Sequence, residues 1–247
     1  MLVCFSVDYE PDCPPYLSDT FRGVEEATAP LLALLREAGA PSTFFSTGDV
    51  AARYPDAIRA IVDAGHELGC HGHTHRRFTD LAPAEARDEI AGSSAILRRF
   101  VPVDSFRAPN LVFPDAYLPL LEDAGYALDS SHAKYKAPYW RDRRHPAATR
   151  LTRIPASTTS SVLRLPRAVR EAWLARLASP VVLFVHPWEF VDLRDYDLRL
   201  DCRFATGATA LRRVRAVLDF LAGRGARFAT MRQAGIEARA ARVAAAA

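Results

Sequence analysis

Short apolar runs alternate with amphipathic segments along the whole chain. "LVCFSVD" (2–8) reads as a buried strand that ends in an acid. Val24, Ala27, Leu31, Leu34, Leu35 and Ala38 then recur at helical spacing, closed by Gly39. "STFFSTG" (42–48) predicts a second strand, residues 50–64 a helix stopped by Gly65, and "HELGCH" a third strand. Residues 83–99 put Ala86, Ile90 and Leu97 on one side, followed by Phe100, with Pro83 suited to a first helical turn. "DSFRAP", "YALDSS", "RLTRIPAS", "VVLFVHP" and "ARFATM" are further candidate strands, most of them separated by helical segments. This alternation predicts an α/β fold: a parallel sheet with covering helices, open or closed into a barrel. Residues 131–153 break the rhythm and predict a long loop over one face.

The 247 residues, 49% hydrophobic, suffice for one sizeable core. No internal repeat or linker interrupts them, so a single domain over 1–247 is expected, with an alanine-rich tail over 237–247. A net charge of +3 is too small to imply a nucleic-acid partner. "MLVCFSVDYE" has neither the basic nor the apolar region of a secretory signal, and no stretch approaches a membrane span. A cytoplasmic location follows as the expectation. Cys4, Cys13, Cys70 and Cys202 show no metal-type spacing and are expected to be reduced thiols.

Chemistry concentrates at the predicted strand ends, where parallel α/β folds build their active sites. Three of the seven histidines, His71, His73 and His75, alternate within five positions of "GHELGCHGHTHRRF". Imidazole is the commonest metal ligand, so the clustering points to a ligand set or a proton relay. His71 and His75 share a face if the segment is helical; His71 and His73 share one if it is extended. Asp8 and Glu10 follow the first strand, Arg107 and Asn110 a fourth, Asp129 a fifth, and His186 a later one. Two imidazoles, a carboxylate and water make a common catalytic zinc set, and a second carboxylate outside it can deprotonate the water.

"FSVDYE", "HGHTH", "FRAPN" and "LFVHPWEF" occur in the order of the signature motifs of the NodB-homology polysaccharide deacetylases, carbohydrate esterase family 4, which the chain resembles from Leu2 to about Gly235. The resemblance implies a distorted (β/α) barrel of about seven parallel strands. It implies one divalent ion, zinc from the ligand types, on His71 and His75. Asp8 matches the base, Arg107 the residue that orients it, the Asn110 N–H a donor to the oxyanion, and His186 the acid that protonates the leaving amine. His73 falls where the family often has an aromatic residue and stays outside the ligand set. Tyr9 replaces the usual second aspartate. The subgroup with an acid–x–acid pattern and an "HPWE" ending fits better, which makes Glu10 the third ligand. Asp129 is the counterpart of the aspartate that tunes the acid histidine.

The expected reaction is hydrolysis of a non-peptide C–N bond, deacetylating or deformylating an N-acyl amino sugar. "DTFRGVEEATAPLL" and "RIPAST" resemble deformylases acting on a lipid-linked formamido sugar, so a soluble or lipid-linked intermediate is the expected substrate. Trp188 is a candidate for stacking on the sugar. Between Lys134 and Arg153, seven cations face one acid, a local charge of +6. Arg141, Arg143 and Arg144 are therefore expected to grip a phosphate on the substrate. Two other readings stand beside this one. An HxH pair at His71 and His73 suits an amidohydrolase or cyclic-amide hydrolase, and a carbohydrate-binding protein that has lost turnover would keep the same fold.

Overall fold

A computed structural model describes residues 1–144 and 146–246. Eight strands form one parallel sheet: β1 Leu2–Tyr9, β2 Ser42–Ser46, β3 Glu67–Cys70, β4 Ser105–Phe106, β5 Leu128–Asp129, β6 Thr152–Arg153, β7 Val181–Val185 and β8 Arg227–Phe228. The order is β6-β5-β4-β3-β2-β1-β7, and β8 pairs with the first residues of β1. The seven strands of the main path curl into a half-barrel. Its two edges meet at Ser157, whose N–H donates to Val182 O (2.8 Å) and whose hydroxyl accepts from Val182 N–H (3.0 Å).

Among the described residues, ten helices cover the sheet: α1 Arg22–Glu37, α2 Gly48–Arg53, α3 Pro55–Asp63, α4 Pro83–Leu97, α5 Leu118–Asp123, α6 Ala137–Arg144, α7 Arg167–Leu174, α8 Leu200–Arg203, α9 Ala208–Gly223 and α10 Met231–Ala246. The helix expected over 50–64 is two, because Pro55 offers no N–H to the preceding turn and starts α3 afresh. The loop expected over 131–153 contains α6, and the alanine-rich tail continues α10. Among the described residues, no helix is long and apolar enough to cross a membrane.

The strand period of two sorts β1 into two faces. Val3, Phe5, Val7 and Tyr9 join the larger core, which also takes in α1 residues such as Leu31 and Leu35. Cys4 points the other way, into a smaller core with Phe45, Leu128, Val182 and Met231. Ser6 and Asp8 share that parity, and Glu10 follows it beyond the strand end. On β7 the same parity carries Val182, Phe184 and then His186. The apolar floor thus gives way, two residues at a time, to polar groups at the carboxyl ends of the strands.

Candidate active site

Arg107, directly after β4, is fully buried and ties three strand ends together. Its Nη1 donates to Ser6 Oγ (2.8 Å) and to Asp8 Oδ1 (2.6 Å), and its Nη2 to Ser130 Oγ (3.1 Å). The guanidinium plane lies over the Phe45 ring, 4.3 Å from its centroid. A buried guanidinium is tolerable only with such partners, and in return it fixes the Asp8 carboxylate.

Glu10, His71 and His75 form a cluster whose ligand atoms all lie within 4.8 Å of one another. Glu10 Oε2 sits 3.2 Å from His71 Nε2 and 2.7 Å from His75 Nε2. His71 Nδ1 lies 2.7 Å from the carbonyl of Arg107, which fixes Nδ1 as the donor and turns the Nε2 lone pair toward Glu10. Burial opposes the charge on Glu10, but His75, His186 and His71 around it hold its carboxyl well below the usual carboxylate range.

The two histidines meet through neither a helix nor a strand. Gly72 at φ 76° and His75 at φ 61° bend the loop after β3, and only glycine adopts the first conformation freely. Glu89 on α4 holds the bend, accepting from His73 N–H (2.8 Å), Thr74 N–H (2.9 Å) and the Thr74 hydroxyl. The His73 ring packs against Gly48 and Gly92 and is outside the cluster.

His186 completes the site from β7. Its Nε2 is 3.9 Å from Glu10 Oε1, and its Nδ1 is 2.7 Å from Glu189 Oε1. Glu189 pairs in turn with buried Arg164 (2.8 Å). Burial would lower the His186 pKa, but Glu10, Glu189 and Asp8 together raise it to about 9. The turn Pro187–Phe190 that carries Glu189 packs on α1 at Gly23, where a Cβ would lie 2.4 Å from Trp188 N.

Three expectations are corrected. Asp129 does not reach His186: its oxygens are taken by Arg153 Nε (3.0 Å) and Ser131 N–H (2.9 Å), and Glu189 holds the histidine instead. Trp188 borders the cavity but is only 6% exposed, stacked on His186 at 4.8 Å and donating to Glu10 Oε1 (3.2 Å), so it offers little surface to a sugar. Arg141, Arg143 and Arg144 line other surface clefts, and Arg143 lies over the Trp140 ring. Of the seven cations in that segment, only Lys136 borders the cavity above the cluster.

That cavity, about 400 Å³, is lined by Asp8, Glu10, His71, His75, Asn110 and His186 among others. Asn110 sits at its rim in a left-handed conformation, φ 59°, just after the Arg107 strand end. Tyr16 and Tyr135, 49% and 40% exposed, border the mouth, and their sequence contexts carried no signal.

A family model described as polysaccharide deacetylase matches residues 10–128. The chitooligosaccharide deacetylase of a Bradyrhizobium species is 33% identical over 103 residues, 40% of this chain and 47% of that protein. A peptidoglycan-N-acetylglucosamine deacetylase of Bacillus cereus is 30% identical over 74 residues, 30% of this chain and 27% of that protein. Part of this chain is thus similar to polysaccharide deacetylases. The chain spans less than half the length of these curated relatives. The deacetylase match covers Glu10, His71, His75, Arg107 and Asn110, whereas Asp8, Asp129, His186 and Glu189 lie outside it. A family 4 carbohydrate esterase from Streptomyces lividans, solved with acetate, shares the fold: TM-score 0.62, 20% identity, 92% of this chain and 91% of that one. So does a CE4 family pseudoenzyme from Bacillus anthracis, with TM-score 0.63, 16% identity, 94% of this chain and 64% of that one. The deacetylase fold therefore occurs with and without turnover, and chemistry must be argued from the side chains.

Proposed function

We propose that this chain is a metal-dependent N-deacylase that removes an acetyl group from an N-acetylated amino sugar of the N-acetylglucosamine type. The observation that carries the reading is the placement of Asp8 and His186 on the wall of one cavity, with the Glu10–His71–His75 cluster among its lining.

The cluster suits a divalent cation. Two imidazole nitrogens and one carboxylate converge, one imidazole is locked in the tautomer a ligand needs, and the carboxylate is held ionised. Ligand type favours zinc. Such an ion supplies Lewis-acid polarisation of the amide carbonyl and lowers the pKa of water.

The chain's own groups divide the proton work. Asp8, held by Arg107, accepts the proton of the attacking water. The N–H of Asn110, at the cavity rim, donates to the oxygen that becomes negative as the carbon turns tetrahedral. His186, kept protonated by the surrounding carboxylates, donates to the nitrogen as the C–N bond breaks. Amide plus water yields the protonated amine and a carboxylate. Tyr16 and Tyr135 offer much more exposed aromatic surface than Trp188.

The amidohydrolase reading loses its support, because the His73 ring turns to Gly48 and Gly92 instead of pairing with His71. The non-catalytic reading is separated by one experiment. Incubation of the zinc-loaded protein with N-acetylated chito-oligosaccharides should release acetate, followed by mass spectrometry. No release from free, nucleotide-linked or lipid-linked N-acyl amino sugars would leave a binding protein.

A further inference from the structure

The charged groups at the cavity mouth do not balance. Each lining carboxylate has a cationic or imidazole partner: Asp8 has Arg107, Glu10 has His71 and His75, and Asp201 has Arg199 at 2.9 Å. Arg164 is likewise spent on the carboxylate of Glu189. Two further cations line the cavity, Arg77 and Lys136, and among the described residues no carboxylate comes within 4.0 Å of either. Arg77 also borders a neighbouring groove with Asp19, Asp49 and Asp80; Asp49 is paired with Arg53, and neither Asp19 nor Asp80 comes within ion-pair distance of Arg77.

Both cations stand on anchored backbone. Arg77 lies two residues after His75, between the bend that Glu89 holds and the fully buried Phe78. Lys136 donates through Nζ to the carbonyl of Asn110, the residue at the rim of the site. Burial pushes the Lys136 ammonium below its ordinary pKa, and the nearby Arg77 adds to the effect. Arg77 thus raises the cost of the Lys136 charge, and an anion between the two cations relieves it.

We propose that Arg77 and Lys136 form an anion subsite that receives a phosphate or carboxylate group carried by the amino sugar or by the unit beside it. The inference rests on the deacylase reading for the sugar, while the recognised chemistry is that of the anion. It moves the expected phosphate contact from Arg141, Arg143 and Arg144 to two residues that face the cavity. A guanidinium supplies two directed donors and an ammonium a point charge, a combination that suits either oxyanion.

The test is binding of three probes by calorimetry: N-acetylglucosamine, its 1-phosphate and N-acetylmuramic acid. The full chain carries Asp8→Asn so that turnover does not intervene. At least one anionic sugar should bind about tenfold tighter than the neutral one. That advantage should shrink several-fold with Arg77→Ala or Lys136→Gln, vanish with both, and fall in 0.5 M salt. Comparing phosphate with carboxylate identifies which group the subsite takes. A triple Arg141→Ala, Arg143→Ala, Arg144→Ala variant should keep the advantage. Equal or absent binding of all three probes, or an advantage that survives the double change, overturns the subsite. Turnover is measured separately with unmutated enzyme: an anion preference without acetate release would overturn the deacylase reading and leave the subsite standing.

Discussion

His186 Nδ1 lies 2.7 Å from Glu189 Oε1, three residues along a single short turn. Burial alone would strip the imidazole's proton, and Glu10, Glu189 and Asp8 together restore it. The sign follows directly. The folded pKa is raised from 6.5 to about 9, so the stabilisation is complete below 6.5 and is lost as pH rises through 9. A general acid must also be protonated to act, so activity should fall on the alkaline side as His186 loses its proton. Glu189→Gln should move that limb to lower pH by about one unit and reduce kcat at neutral pH, with metal content unchanged. Because Arg164 would lose its carboxylate partner, stability should also drop by roughly 3–5 kcal/mol, read as a lower urea midpoint. An unmoved limb would remove Glu189 from the proton chemistry.

Asp8 and Glu10 share the inward parity of β1 yet are held by different partners, a guanidinium for one and two imidazoles for the other. Their substitutions should therefore separate. Asp8→Asn keeps the zinc and lowers kcat by about 10²–10⁴, because an amide does not accept the proton of water. Glu10→Gln, His71→Ala and His75→Ala lose zinc and activity together. Zinc content by atomic emission beside acetate release distinguishes these outcomes. Loss of zinc in Asp8→Asn with retention in Glu10→Gln would exchange the two roles.

The parts of this site carried by strand parity and strand ends were legible from sequence. Asp8 and Glu10 stand two positions apart because a side chain returns to the same face every second residue, and Phe184 and His186 repeat the device at the end of β7. Contacts between distant segments left no such trace. Glu89 sits on an ordinary-looking helix and Arg164 in a short turn, and each acts only through a residue far away in sequence. Asp129 shows how little a strand-end acid says about its partner, since Arg153 from the adjacent β6 strand takes it. Charge density misled in the same way. It located the cations of residues 134–153 but gave no direction, and Arg150 and Arg153 are turned to Glu122 and Asp115. His71 and His75 were paired at the right spacing, but two positive φ values rather than a helical turn bring them together.

Glu89 touches no ligand atom, but three of its contacts fix the backbone between the two histidines. Without them His75 would have to hold its left-handed conformation unaided, at a cost a non-glycine residue normally avoids. Glu89→Ala should weaken zinc affinity by about 10–100-fold, measured by competition with a chelator. At saturating zinc, kcat should recover most of its value, because neither Asp8 nor His186 has moved. A full loss of kcat at saturating zinc would mean that Glu89 supports more than the loop.

The last prediction tests whether the packing of α1 sets the position of His186. Gly23 lets the first turn of α1 approach the Pro187–Phe190 turn so closely that a Cβ would sit 2.4 Å from Trp188 N and 2.6 Å from the Pro187 carbonyl carbon. Backbone cannot yield as the end of a flexible side chain does, so Gly23→Ala must push helix and turn apart. The start of α1 resists, because Asp12 accepts from both Arg22 N–H and Gly23 N–H at 2.8 Å. The turn that carries Trp188 and Glu189 should therefore give way, shifting His186 with it. Gly23→Ala is expected to cost about 1–3 kcal/mol of stability and to lower kcat more than it raises KM, since the acid is misplaced while the sugar-facing tyrosines stay. Gly223→Ala is the control: a Cβ there meets nothing within 4 Å near the end of α9, and alanine should be neutral or about 0.5 kcal/mol stabilising with unchanged kcat. A Gly23→Ala enzyme that loses stability but keeps kcat would show that His186 is held by Glu189 alone, independently of the helix behind it.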